Sequence, residues 1–209
     1  MEEKVTYYAY LTIHDFFDCF VFDSVRHKID SVIRSATGNK IWDKQPPGEL
    51  VYYMEKLEDL CSAAFVIHDN FSTNEEVIID AKENEHPDLF KTAWFFNGSF
   101  RSSEWNNIPR NLSAQQYYDP YKALKKFCSY MPEPQWKKTL QALSIYALCY
   151  DSVLDTFPPY NILTLRLRLL QLIEACHLIN VRIKNKEKKQ EDGEKSKNKK
   201  TLQKKKINK

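Results

Sequence analysis

The chain has 209 residues, is 43% hydrophobic, 13% aromatic and 28% charged, and carries a formal net charge of +3. That is enough length and apolar content for a buried core, and too much of both for a chain disordered throughout. Its 4 glycines (Gly38, Gly48, Gly98 and Gly193) are far apart, which excludes the glycine-rich loops that cradle phosphates and argues against an all-β fold, whose turns need glycine often.

Met1-Glu2-Glu3-Lys4 places acid where a secretion signal places base, and no apolar run follows, so the expectation is a soluble, cytoplasmic protein. Thr12 caps a short helix leading to Phe16 and Phe20. A second helix is expected from Asp23 to about Ser35, with Val25, Ile29 and Val32 on one face. Pro46-Pro47 ends what precedes and opens a third helix, Glu49 to about His68.

Residues 71–121 differ in composition. Val77-Ile78-Ile79 reads as a short strand or a helical turn, followed by an acidic stretch to Asp88. Asn97-Gly98 between Trp94-Phe95-Phe96 and Phe100 is the strongest hairpin signal in the chain. Trp105 to Arg110 reads as an ordered loop.

Helical pattern then returns. Asp119-Pro120 is an N-cap followed by a proline at the first helical position for a run to Tyr130. Pro132 and Pro134 mark a helix from Glu133 to about Tyr150, with Trp136, Leu140, Leu143 and Ala147 on one face. Pro158-Pro159 precedes a last helix, Asn161 to about Lys184. Within it Leu163-Thr164-Leu165-Arg166-Leu167-Arg168-Leu169 alternates as a strand does. Helix is the better reading, because leucine and arginine favour helices and the pattern continues helically to Ile179. So leucine-rich a helix is expected to be central, or covered by a second subunit. Arg166, Arg168 and Glu174 interrupt it, so it is not a membrane span.

A repeat organises these elements. Pro46, Pro47, Leu57, Leu60, Ala63 and Ile67 recur as Pro158, Pro159, Leu169, Leu172, Ala175 and Ile179, an offset of 112 without a gap. At an offset of 111, Ile13 and Phe16 meet Leu124 and Phe127, Val25, Ile29 and Val32 meet Trp136, Leu140 and Leu143, and Ala36 meets Ala147. The expected fold is mainly α: one helical domain, 1–183, made of related three-helix units at 11–70 and 122–181 joined by an aromatic connector, 71–121.

Charge is segregated. Residues 184–209 hold 12 Lys and 4 acids, a net of +8. The remaining residues keep 19 of the 31 basic and 24 of the 28 acidic side chains, a net of −5. With only Leu202 and Ile207 to bury, the tail is expected to be a largely disordered basic chain whose first residues extend the last helix.

Little points to reaction chemistry. The cysteines, Cys19, Cys61, Cys128, Cys149 and Cys176, are odd in number and form no C-x-x-C; most lie in apolar stretches and read as small core residues in a reducing compartment. Glu174-x-x-His177 has the spacing of carboxylate di-metal bundles, but the repeat offers Ser62 and Phe65 at the matching positions. His177 is therefore read as satisfied on a packed face, and no metal or cofactor is expected. His27 with Arg26 and Lys28 reads as one solvated basic face. No hydrolase, zincin or helical-ribonuclease spacing occurs.

Trp94, Phe96, Phe100, Arg101, Trp105 and Arg110 have the composition of a recognition patch, rigid aromatics with arginine, or else cap the helical core. The leading functional expectation is a non-catalytic binding or adaptor protein, acting on a protein partner or on itself through the leucine-rich helix. The alternative is a nucleic-acid-associated accessory factor, with Lys197, Lys199, Lys200, Lys204, Lys205 and Lys206 on phosphates. A helical enzyme without a recognisable motif is third.

Overall fold

The computed structural model describes residues 2–38, 40–70, 108–155 and 161–207, with side chains for 6–38, 40–70, 108–154 and 161–184. Among the described residues the regular structure is mainly α, with no strand: α1 (Glu2–Cys19), α2 (Phe22–Thr37), α3 (Pro47–Asp69), α4 (Ala114–Tyr118), α5 (Tyr121–Cys128), α6 (Glu133–Ala147) and α7 (Ile162–Ile207), with a 3-10 turn at Val153–Asp155. Val77–Ile79 and the hairpin expected around Asn97-Gly98 lie outside the described residues.

α1 begins ten residues before Thr12, where the sequence put its start. No glycine or proline interrupts Glu2–Leu11, and buried Ala9, Ile13, Phe16 and Phe17 carry the apolar stripe back past Thr12. Thr12 is no cap; its hydroxyl donates to the Tyr8 carbonyl at 3.0 Å. α2 buries Val25, Ile29, Val32 and Ala36 as its spacing predicts, and α3 starts on Pro47 at its first turn.

The return into helix is built differently from expectation. Ser113 and Gln116 form a reciprocal capping box that opens α4. Pro120 then separates α4 from α5, and its carbonyl accepts from Leu124 at 3.2 Å. Asp119 pairs with Lys122 at 3.6 Å instead of capping. α6 stops at Ala147, three residues short of Tyr150.

α7 is the centre of the molecule. The Leu163–Leu169 alternation is helical, and every residue from Leu169 to Val181 is buried. The chain's own elements provide the cover, so this stretch keeps no face for a second subunit. The helix continues to Ile207, so the tail expected as a disordered chain has helical backbone. Lysine, glutamate and glutamine are good helix formers, and extending an existing helix avoids the nucleation cost.

α1 lies along α3, and α5 along α7; α2 packs on α7, and α6 on α3; α1 reaches α7, and α5 reaches α3; α2 and α6 face each other. Trp136 stacks on Phe127 at 4.2 Å between ring centres, and both are fully buried. The Tyr10 and Tyr121 hydroxyls hydrogen-bond across α1 and α5 at 3.0 Å. Among the described residues no helix is long and apolar enough to cross a membrane.

Candidate functional site

The most concentrated polar chemistry in the described interior lies where α7 meets the segment that leads into α4. Glu174 sits in mid-helix and is 0% exposed. An isolated buried carboxylate is costly, so its partners matter. One oxygen accepts the Arg110 backbone N–H at 3.0 Å and the Asn111 side-chain amide at 2.8 Å. The other accepts the Asn111 backbone N–H at 2.7 Å. Three donors from one short segment thus converge on one side chain.

Arg26, from α2, supplies the countercharge. Its Nη1 lies 3.7 Å from Glu174 and donates to the Ile108 carbonyl at 3.0 Å, while Nη2 donates to Asp23 at 3.0 Å. The sequence placed Arg26 on a solvated basic face with His27 and Lys28. Only His27 is exposed. Arg26 is buried, and Lys28 lies over the Phe20 and Tyr53 rings, where partial burial lowers its pKa against the pull of Glu49.

The same side of α7 continues the grip. Gln171 donates to the Asn111 carbonyl at 3.0 Å and accepts from Arg168 at 2.8 Å. Leu178 packs with Leu112 and Tyr117. Arg182 donates to the Tyr117 and Tyr118 carbonyls at 2.6 and 3.2 Å. Positions 168, 171, 174, 178 and 182 share one helix face, so α7 holds the backbone of Arg110, Asn111, Tyr117 and Tyr118 by hydrogen bonds, like a rail. This clamp fixes the returning end of the connector; at its other end, the Asn70 backbone and side chain close α3 onto the Val66 carbonyl.

His177, one turn after Glu174, completes the buried set. Its ring stacks on Phe22 at 4.0 Å and 8°, meets Phe17 edge-on, and is 5% exposed. It is packed as expected but not satisfied: neither ring nitrogen has a hydrogen-bond partner among the described residues. Burial, then the Arg26 and Lys184 charges, push its pKa down to about 3, so the ring is neutral at pH 7. Cys61, Cys128 and Cys176 are buried thiols, and burial raises the pKa of each. Cys149 is half-buried and Cys19 is exposed, so three of the five cysteines are core residues.

Of the recognition patch read from the sequence, Arg110 is described, and its backbone serves the clamp; Trp94, Phe96, Phe100, Arg101 and Trp105 lie outside the described residues. Lys197, Lys199, Lys200, Lys204, Lys205 and Lys206 fall on α7, and their side chains lie outside the described set. The sequence weighed Glu174 only as a metal ligand and missed the clamp. Its signal was present as Arg168, Gln171 and Glu174, a polar line at three-residue steps along a leucine-rich helix. Among the described residues no cluster of three His, Cys, Asp or Glu side chains is arranged to hold a metal. An apolar cavity between Ile29, Val32, Leu57, Leu140, Leu143 and Leu169 has about 10 Å³, room for one water at most. No family model matches the chain, and no match is found among curated proteins or solved structures.

Proposed function

We propose that the protein is a non-catalytic, internally duplicated helical scaffold that holds its connector between two fixed ends for contact with a protein partner. The observation that carries this reading is the Glu174 clamp: the most buried charge of the described core is spent on gripping residues 110–111.

Duplication is supported by the element bounds and the packing. α2 and α6 start 111 residues apart and end one residue out of step. Shifted by 111, α1 falls on 113–130, the stretch of α4 and α5, with Pro120 dividing what is continuous in α1. The helix pairs that pack together exchange with one another under the same shift. Tyr10 and Tyr121, 111 residues apart, bond to each other, and the small cavity pairs Ile29 with Leu140, Val32 with Leu143 and Leu57 with Leu169. On this reading the units reach 2–70 and 113–181.

The test is joint substitution of Trp94, Phe96, Phe100, Arg101 and Trp105 by serine. The expected result is a melting temperature within about 2 °C of the parent and loss of the partner captured stoichiometrically by the intact chain. A fall in melting temperature of roughly 10 °C or more would reassign these aromatics to the core and overturn the display role.

A further inference from the structure

The scaffold leaves the basic end of the chain without a role. Its lysines are sorted by the helix they belong to. At 100° per residue, Lys186, Lys189, Lys197, Lys200 and Lys204 fall along one line of α7. Lys184, Lys188, Lys195, Lys199 and Lys206 fall along a second, roughly 150° around the axis. Glu187, Glu191 and Glu194 share the wider interval between the lines with Lys205, and Asp192 alone of the acids falls in the narrower one. Lys184 anchors the start of this arm, pairing with Asp18 of α1 at 3.1 Å. From there to Ile207 the helix runs roughly 35 Å, about one turn of a DNA duplex.

Two lines of cations on opposite sides of one rod match two rails of anions better than they match one flat surface. We propose that the stretch of α7 from Lys184 to Ile207 is a DNA-binding arm that lies in the major groove of the duplex and places one lysine line against each phosphate backbone. The groove is about 12 Å wide and admits a helix. The corresponding groove of duplex RNA is deep and narrow and does not. Leu202 and Ile207 are the only large apolar residues of the arm, too few for an anionic membrane surface. No aromatic residue occurs in it, so there is no platform on which single strands could stack. The net of −5 on the rest of the chain confines the attraction to the arm. Contacts of this kind are to phosphate, so binding is indifferent to sequence and strongly salt-dependent.

The experiment is fluorescence anisotropy of a labelled 20-base-pair DNA duplex of arbitrary sequence, titrated with the intact protein from 50 to 300 mM KCl. An RNA duplex, a DNA single strand and vesicles one-third phosphatidylserine are run in parallel. The arm predicts saturable binding to duplex DNA at 50 mM, with log affinity falling linearly in log salt at a slope of roughly −5 or steeper. The six-lysine variant, with Lys197, Lys199, Lys200, Lys204, Lys205 and Lys206 changed to Gln, is expected to bind at least 30-fold more weakly and with a shallower slope. Two four-lysine variants test the rails: Lys189, Lys197, Lys200 and Lys204 to Gln, and Lys188, Lys195, Lys199 and Lys206 to Gln. Each is expected to weaken binding by a similar factor. The proposal is overturned by no binding at 50 mM, by equal or tighter binding to RNA, single strand or vesicle, or by one line carrying the whole effect. Because the core helices are untouched, circular dichroism at 222 nm before titration confirms that each variant keeps its fold.

Discussion

α3 and α7 occupy matching places in the proposed repeat, yet one side of each helix has a different fate. Along α7, Gln171, Glu174, His177 and Asn180 are buried. The residues 112 positions earlier on α3, Asp59, Ser62, Phe65 and His68, are half-buried or exposed. At four core positions the two helices agree: Leu57, Leu60, Ala63 and Ile67 are as buried as Leu169, Leu172, Ala175 and Ile179. What differs is the neighbour. Backbone from Ile108 to Tyr118 lies over α7 and brings N–H and C=O groups that need partners once they leave water. A helix face covered by irregular chain must be polar at the right steps, whereas a face covered by another helix can be leucine throughout.

The largest expected effect tests that contrast directly. Glu174→Ala removes the acceptor for two backbone amides and the Asn111 side chain, together with the charge opposite Arg26. The expected loss is about 3–5 kcal/mol in urea unfolding. Ser62→Ala, at the matching place on α3, is expected to change stability by no more than about 0.5 kcal/mol. Equal effects at the two positions would dissolve the comparison.

The second prediction uses the next polar position. Folded His177 titrates at about 3 against 6.5 when unfolded, because it is buried near Arg26 and Lys184. Above pH 6.5 the ring is neutral in both states and burial of the neutral form carries no proton penalty. As pH falls below 6.5 the unfolded chain binds a proton that the folded chain refuses, so stability is lost progressively down to about pH 3. Between pH 7 and pH 5 the loss is about 2 kcal/mol. His177→Phe, which copies Phe65 on α3, is expected to abolish that part of the pH dependence; a variant with an unchanged stability–pH slope would contradict it.

These two positions also mark what the sequence made legible. The helices, their apolar faces and the correspondence of Val25, Ile29 and Val32 with Trp136, Leu140 and Leu143 follow from spacing alone, because a periodic pattern reports which side is buried. Spacing does not report what lies on that side. From sequence, Glu174 is weighed only as a metal ligand and set aside, and Arg26 reads as a solvated cation, because their hydrogen-bond partners, Asp23 apart, sit more than sixty residues away along the chain and are mostly backbone groups that sequence leaves invisible. Cap signals misled where another local partner was on offer: Thr12 bonds back within α1, and Asp119 pairs with Lys122 rather than capping.

Smaller effects sharpen the relation between the two halves. Tyr10→Phe and Tyr121→Phe each remove one side of the hydroxyl pair and are expected to cost about 1 kcal/mol. The double variant should cost less than the sum, and a double-mutant cycle by thermal unfolding reads the coupling. Smallest is Asp30→Asn, which loosens the two-pronged bond from Arg166 at 2.7 and 2.8 Å. Both side chains are substantially exposed, so the expected change is about 0.5 kcal/mol and shrinks in 0.5 M NaCl.

Amide hydrogen exchange at Arg110 and Asn111 tests the clamp most directly. The geometry predicts that both amides are protected in the intact protein and that Glu174→Gln, which keeps the shape but loses one acceptor and the charge, speeds their exchange by about tenfold or more relative to α6 amides. Exchange at the rate of unstructured backbone in the intact protein, or unchanged protection in the variant, would contradict it.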